Sequence, residues 1–411
     1  CDDPSSPPAE HVVVIDWDGL DPAFLDLADT PTIDALMAAG SASIATTTYH
    51  PVSNPSRASL VTGALPRTHG NVAYSFDRAT GTARAQERTL HAETIAAALG
   101  RQDRTVASVQ WYMTQDHGTA YGDPEHLYVQ PGGTFGERVD VAIDILHQRP
   151  VDSNGTPVTV PRIPALLAVY GSEIDSLVHA EGTVSPDLPA MVAQVDADLG
   201  RLVQATRDVG IHDRTTFILT GDHGMTDWDR SALPDVLDAL ATTGYEPQVL
   251  VPPYLTTPNP STEIVVIPVG DRAADITLLG AADGDDGRAA VAAALDGLVG
   301  GVLTEVLDSD VMAAMGASDR HGDFHAIPEP PYGMTILTPP AGEMRAGHAS
   351  RAEMQVPLIM AGAGVCTGAT PDEPGLIDVA PTIATLLGLD PPADADGRSL
   401  DEVLIGGCAP A

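Results

Sequence analysis

The sequence predicts an α/β fold: a mostly parallel sheet sandwiched by helices, with an inserted α+β cap subdomain. Three observations carry this expectation. Short apolar, β-branched runs end abruptly in acidic residues, helical patterns follow them, and the alternation breaks once, between about residues 228 and 345, before it resumes. Continuous apolar strands that alternate with helices imply crossovers, parallel pairing and burial on both faces.

HVVVID (11–16) is the first strand, closed by acidic residues and Gly19, and TPTIDALMAAG (30–40) is a helix with a glycine stop. Further strands are expected at 105–110, 164–170, 215–220 and 356–361, and helices at 89–99, 135–148, 186–208 and 376–388. PPYLTTPNPSTEIVVIPVG is proline-rich and then strand-like, GRAAVAAALDGLVGG reads as one helix, and the core resumes at QVPLIMAG. The expected division is a tether over 1–10, a discontinuous core over 11–227 and 346–405, and a cap over 228–345. No internal repeat is evident.

The 411 residues are 43% hydrophobic but only 4% aromatic, so Val, Leu, Ile and Ala must fill the interior. The net charge is −37, and all 20 basic residues are arginine. Such a field repels phosphate backbones and anionic surfaces, which argues against nucleic-acid binding by a basic patch. No apolar run approaches the roughly 18 residues that span a bilayer.

The sequence begins CDDPSSPPAE, a cysteine followed by an acidic, Ser/Pro-rich stretch unable to pack. This start resembles a mature bacterial lipoprotein after signal-peptide removal. The resemblance implies a lipid on Cys1 as the only membrane attachment, and export to the bacterial cell envelope. Cys366 and Cys408 are expected to be able to pair in such a compartment.

Residues able to do chemistry gather at the ends of the expected strands. IDWDG supplies Asp16 and Asp18; YHPVSNPSRASLVTG supplies Ser53; YGSEIDSLVHAEG supplies Asp175 and His179; FILTGDHGMTD supplies Asp222 and His223; and RAGHASRAEM supplies His348. Singly, each has a plainer reading as a helix cap or a surface contact. Together, the carboxylates of Asp18, Asp175 and Asp222 and three imidazoles at one sheet edge call for a cation. Mixed Asp/His donors suit Zn²⁺, whereas Mg²⁺ and Ca²⁺ prefer oxygen shells.

This set, in this order, resembles the alkaline phosphatase superfamily, most closely its type I phosphodiesterase / nucleotide pyrophosphatase branch. The likeness covers nearly the whole chain, including TPTIDALMAAG, the VTG and THG of the serine stretch, D-x-x-x-H, GDHGMTD, the late GH and LIDVAPTIATLLGL. It implies a phosphoesterase acting on a small phosphate ester through Ser53 as nucleophile. Asp18, Asp222 and His223 would hold one zinc ion, with Ser53 touching it; Asp175, His179 and His348 would hold the other. Asp16 is expected to be structural. A metal would also answer why Ser53 reacts, because coordination stabilises an alkoxide as it does hydroxide.

SNPSRASLVTG equally fits the sulfatase signature, in which Ser53 would become formylglycine beside Ca²⁺. The absence of lysine and the presence of a second donor set weigh against that rival. A non-catalytic, zinc-holding, lipid-tethered binding protein is the remaining alternative. Asn54, where relatives carry an aromatic, Arg57, Tyr74 and Tyr170 are the expected substrate contacts. His69 should support the loop after the serine helix, His321 and His325 are reserve ligands, and His117 and His126 should lie in an exposed loop.

Overall fold

The computed structural model describes residues 8–407. Its central sheet has seven strands: β1 (His11–Trp17), β2 (Ser41–Thr46), β3 (Val106–Val109), β4 (His126–Val129), β5 (Leu166–Gly171), β6 (Thr215–Gly221) and β7 (Gln355–Gly362). Their order is β2-β7-β6-β1-β5-β3-β4, and only β7 runs against its neighbours.

The period-2 alternation of β1 divides two cores. Val13, Ile15 and Trp17 pack with Ile33, Val139 and Leu199 from the helices Pro31–Ala39, Phe135–Leu146 and Leu188–Asp208. Val12 and Val14 face the other way, onto Leu60, Leu99 and Ile383 from the helices Ser53–Thr62, Ile95–Gly100 and Val379–Leu386. With both faces covered, the apolar run of β1 needs no polar side.

The five expected strands and the long helices form where the sequence placed them. The helix expected at 89–99 instead starts at Ile95, because the Thr94 hydroxyl accepts from the Ala97 N–H and caps it there. Leu376–Asp378 is a 3-10 turn that leads into the helix beginning at Val379. The edge strand β2 was not expected, since SASIAT lacks an apolar run. His126 opens β4 and is partly buried, contrary to the exposed-loop expectation.

Between β6 and β7 the chain builds a second, five-stranded sheet ordered Pro247–Val249, Ile264–Val269, Ala273–Leu278, Phe324–Pro328 and Leu303–Asp308. The helices Leu233–Ala241 and Asp285–Asp296 pack on it through Leu240, Val291 and Leu295. Its Val269 and Ala273 also meet Tyr49 and Val52, the residues just ahead of the Ser53 helix.

Cys1 and most of the expected tether, together with Cys408 and hence its pairing with Cys366, lie outside the described residues. Ala9 and Glu10 are held to the core: their N–H groups donate to Leu386 O at 2.9 Å and Arg214 O at 3.0 Å. No helix among the described residues is long and apolar enough to cross a membrane.

Candidate active site

The sheet register assembles the site. Trp17 of β1 is level with Gly221 of β6 and Gly171 of β5, so the residues that follow all emerge at one carboxyl edge. Asp18 comes from β1, Asp222 and His223 from β6, and Asp175 and His179 from the helix Glu173–Glu181 after β5. Because β7 is antiparallel, its beginning lies at this same edge; Gln355 pairs with Thr46, the last residue of β2. His348 therefore arrives ahead of β7 where Ser53 departs after β2.

Asp18, Asp222 and His223 form one group whose ligand atoms lie within 4.8 Å of one another, and Asp175, His179 and His348 form a second. The Ser53 hydroxyl lies 3.3 Å from Asp18 Oδ1 and 3.3 Å from His223 Nε2, at the first turn of its helix. Gly19 permits the crowding. It has φ +67°, donates its N–H to Asp222 Oδ1 at 3.0 Å, and a Cβ there would stand 3.0 Å from Asp175 Cβ.

Backbone carbonyls fix the imidazole tautomers. His223 Nδ1 is 3.2 Å from Gly224 O and His348 Nδ1 is 2.8 Å from Pro51 O. A carbonyl only accepts, so each Nδ1 carries the proton and each Nε2 lone pair remains for a ligand. Asp271, in the turn between the strands Ile264–Val269 and Ala273–Leu278 of the second sheet, faces Nδ1 of His179 at 3.8 Å while Asp175 faces Nε2 at 3.3 Å.

The carboxylates are overcrowded. Burial opposes charge on Asp18, but Arg57 and then His223 outweigh it and hold the carboxyl below the usual range. Burial, and then the charge of Asp18, push Asp222 well above it. Burial keeps His223 and His348 neutral. It disfavours charge on His179 too, yet Asp175 and Asp271 more than offset this and raise the imidazole to about 9. Asp175 Oδ1 and Asp222 Oδ2 are buried and receive no well-aligned hydrogen bond. Crowded carboxylate oxygens beside the free Nε2 lone pairs of His223 and His348 fit divalent cations with N/O preference.

Arg57 is buried beneath the carboxylates and not at a substrate surface. Its guanidinium contacts Asp16 at 2.6 Å, Asp222 at 3.0 Å and Asp18 at 3.5 Å. Asp16, further fixed by Trp111 Nε1 at 2.9 Å, is the base of this network. Tyr170 is also turned inward: its hydroxyl donates to Asp18 Oδ2 at 2.6 Å, and its ring lies under Arg57 at 4.6 Å. Asn54 is spent on the Glu87 carbonyl, and its N–H on Gln86 Oε1. Of the four expected substrate contacts, only Tyr74 lines the cavity at Ser53.

That cavity is about 560 Å³, with Ser53, Asp175, His179 and His348 at its polar end and Val251, Pro268, Ile336 and Leu337 along its apolar wall. Asp271 and Gln86, both unanticipated, also line it. Asp271 carried a signal: IPVGD repeats the apolar-run-then-Gly-Asp punctuation of the other site residues. His321 and His325 do not join either group around Ser53.

A mostly parallel α/β sheet with a serine and two Asp/His donor sets at its carboxyl edge places the chain in the alkaline phosphatase superfamily. Within it, the chain belongs to the type I phosphodiesterase / nucleotide pyrophosphatase family, whose sequence model matches residues 12–335. Ectonucleotide pyrophosphatase/phosphodiesterase family member 7 of mouse is 27% identical over 237 residues, 54% of this chain and 51% of the mouse protein. The human member 7 is 26% identical over 238 residues, 54% of this chain and 49% of its own length. The match thus spans about half the length of these curated relatives. Murine ectonucleotide pyrophosphatase / phosphodiesterase 5, solved as an inactive variant with AMP, superposes with a TM-score of 0.68 at 19% identity over 93% of this chain and 96% of its own. Its human counterpart gives 0.69 at 17% identity with the same coverage. These two likenesses establish the fold.

Proposed function

We propose that this chain is a dizinc phosphoesterase that cleaves a small phosphodiester through a phosphoserine on Ser53. One observation carries the reading: a hydroxyl at the start of a helix, 3.3 Å from Asp18 and from His223, with a second Asp/His/His group alongside. Asp18, Asp222 and His223 would hold one ion, and Asp175, His179 and His348 the other. Bound there, the ions would act as Lewis acids that acidify the hydroxyl and offset charge on the phosphoryl oxygens.

Ser53 Oγ attacks phosphorus in line, giving its proton to solvent, while the bond to the leaving alcohol breaks and the alcohol departs protonated. Water then cleaves the Ser53 O–P bond and restores the serine. Arg57 keeps Asp16, Asp18 and Asp222 in place from behind. The Asn54 N–H, bonded to Gln86 Oε1 at 3.0 Å, would reach a phosphoryl oxygen only if Gln86 gave up that bond.

The stretch 228–345 serves in this reading as a cap, because Val251, Pro268, Ile336 and Leu337 wall the cavity opposite Ser53. That wall, and Asn54 in place of a stacking aromatic, favour an alcohol with an apolar body over a nucleoside. Export follows the ecto-enzyme names of the curated relatives.

The test is metal analysis of the purified chain followed by turnover of chromogenic diester, monoester, phosphonate and sulfate esters. Ser53→Ala should lower diester turnover at least about 1,000-fold with metal content unchanged. Sulfate turnover accompanied by conversion of Ser53 would transfer the case to a sulfatase. Retained zinc with no ester hydrolysed would leave a binding protein.

A further inference from the structure

We propose that His50, His321 and His325 hold a third divalent transition-metal ion, zinc by its donor chemistry, at a site separate from the two groups around Ser53. Their candidate ligand atoms lie within 4.8 Å of one another, and their ring centroids are 4.4, 4.8 and 5.7 Å apart. His50 comes from the turn before the Ser53 helix, His325 from a strand of the second sheet, and His321 from the loop leading into that strand. No local sequence pattern unites them; the fold does.

The observation that demands a ligand is His50. It is fully buried, and neither ring nitrogen has a hydrogen-bond partner; Nδ1 of His321 is likewise orphaned. A buried polar atom left unpaired forfeits its hydration without return, so a purely packed role for these imidazoles is costly. The unpartnered nitrogens of His50 leave it a lone pair to offer.

Asp275 supplies the negative charge. It is fully buried, lies 3.1 Å from Nε2 of His325 and 3.5 Å from Nδ1 of His321, and accepts the Gly322 N–H at 2.8 Å. Carboxylate–imidazole pairs of this kind accompany ligating histidines and set their orientation. Asp275 holds the Nε2 proton of His325, so its Nδ1 lone pair, now 2.7 Å from the Tyr49 hydroxyl, is the one that would turn to the ion. A cation would enter through a neighbouring surface cavity of about 400 Å³, which His321 lines together with Asp310, Asp319 and Arg67.

An ion here would staple the second sheet to the residues that introduce Ser53. Pro51, adjacent to His50, gives its carbonyl to His348, so the same turn also orients a donor of the Ser53 site.

The full chain should be crystallised with zinc chloride as the only added metal, and diffraction recorded above and below the zinc absorption edge. The expected result is an anomalous peak among the three imidazoles, absent in His321→Ala, whose zinc content falls by one equivalent per chain. In Asp175→Ala/Asp222→Ala one equivalent should survive. No peak among the imidazoles of the zinc-supplied wild type overturns the proposal, as does unchanged zinc content in His321→Ala. Peaks only beside Ser53 would end this inference and leave the proposed function standing; a peak only at the imidazoles would do the reverse.

Discussion

The imidazoles of His223 and His348 stack with centroids 3.7 Å apart and planes 16° from parallel. They belong to different donor groups, one after β6 and one before β7, and they form a shared wall between them. Each is neutral by burial and fixed by a carbonyl at Nδ1. Replacing His348 with Ala should therefore remove one metal equivalent and also loosen the other group. Zinc content should fall below two at the Ser53 site, and diester turnover by at least about 100-fold.

Arg57 neutralises part of a three-carboxylate cluster from a fully buried position. Removing one partner of such a network leaves uncompensated charge. Arg57→Met should destabilise the metal-free protein by roughly 3–5 kcal/mol. Added zinc should recover part of that, since a cation supplies the lost positive charge. Urea unfolding with and without zinc reads both effects; equal stability of variant and wild type without metal would refute the account.

Asp271 faces the Nδ1 of His179 from the second sheet, and Gly270 beside it has φ +52° and accepts the His348 N–H at 2.7 Å. The second sheet thus orients two donors of one group. Asp271→Asn should weaken zinc affinity at that group by about 10-fold, the lower end for loss of an outer partner. Competition with a chromophoric chelator measures it.

His69 fixes the loop after the Ser53 helix. Its Nδ1 accepts the Asn71 N–H at 3.0 Å, so the proton is on Nε2, which donates to Ser59 Oγ at 2.9 Å. Burial lowers its pKa to about 3 against an ordinary 6.5. The unfolded chain binds the proton more readily, so this contribution to stability is complete above pH 6.5 and is lost progressively as pH falls towards 3. The slope approaches about 1.4 kcal/mol per pH unit in that window. His69→Gln, which can still accept and donate, should flatten the dependence of the urea midpoint between pH 6.5 and 4.

The sequence alone determined the buried core strands, the long helices and the two donor sets. Continuous apolar runs ending in acid, such as HVVVID and TTFILTGDH, announce buried parallel strands whose exits carry chemistry, because period and punctuation are local properties of the chain. Asp18, Asp175, His179, Asp222 and His223 were legible in this way, while Ser53 and His348 were singled out by the family resemblance. What only tertiary structure decided is direction and company. Whether Arg57 and Tyr170 face substrate or carboxylate depends on the packing of helix 53–62 against β1. That Asp271 stands behind His179, and that His50 meets His321 and His325, depends on how the second sheet docks on the first. Such meetings join residues far apart in the chain through close-packed side chains, and no local periodicity encodes them.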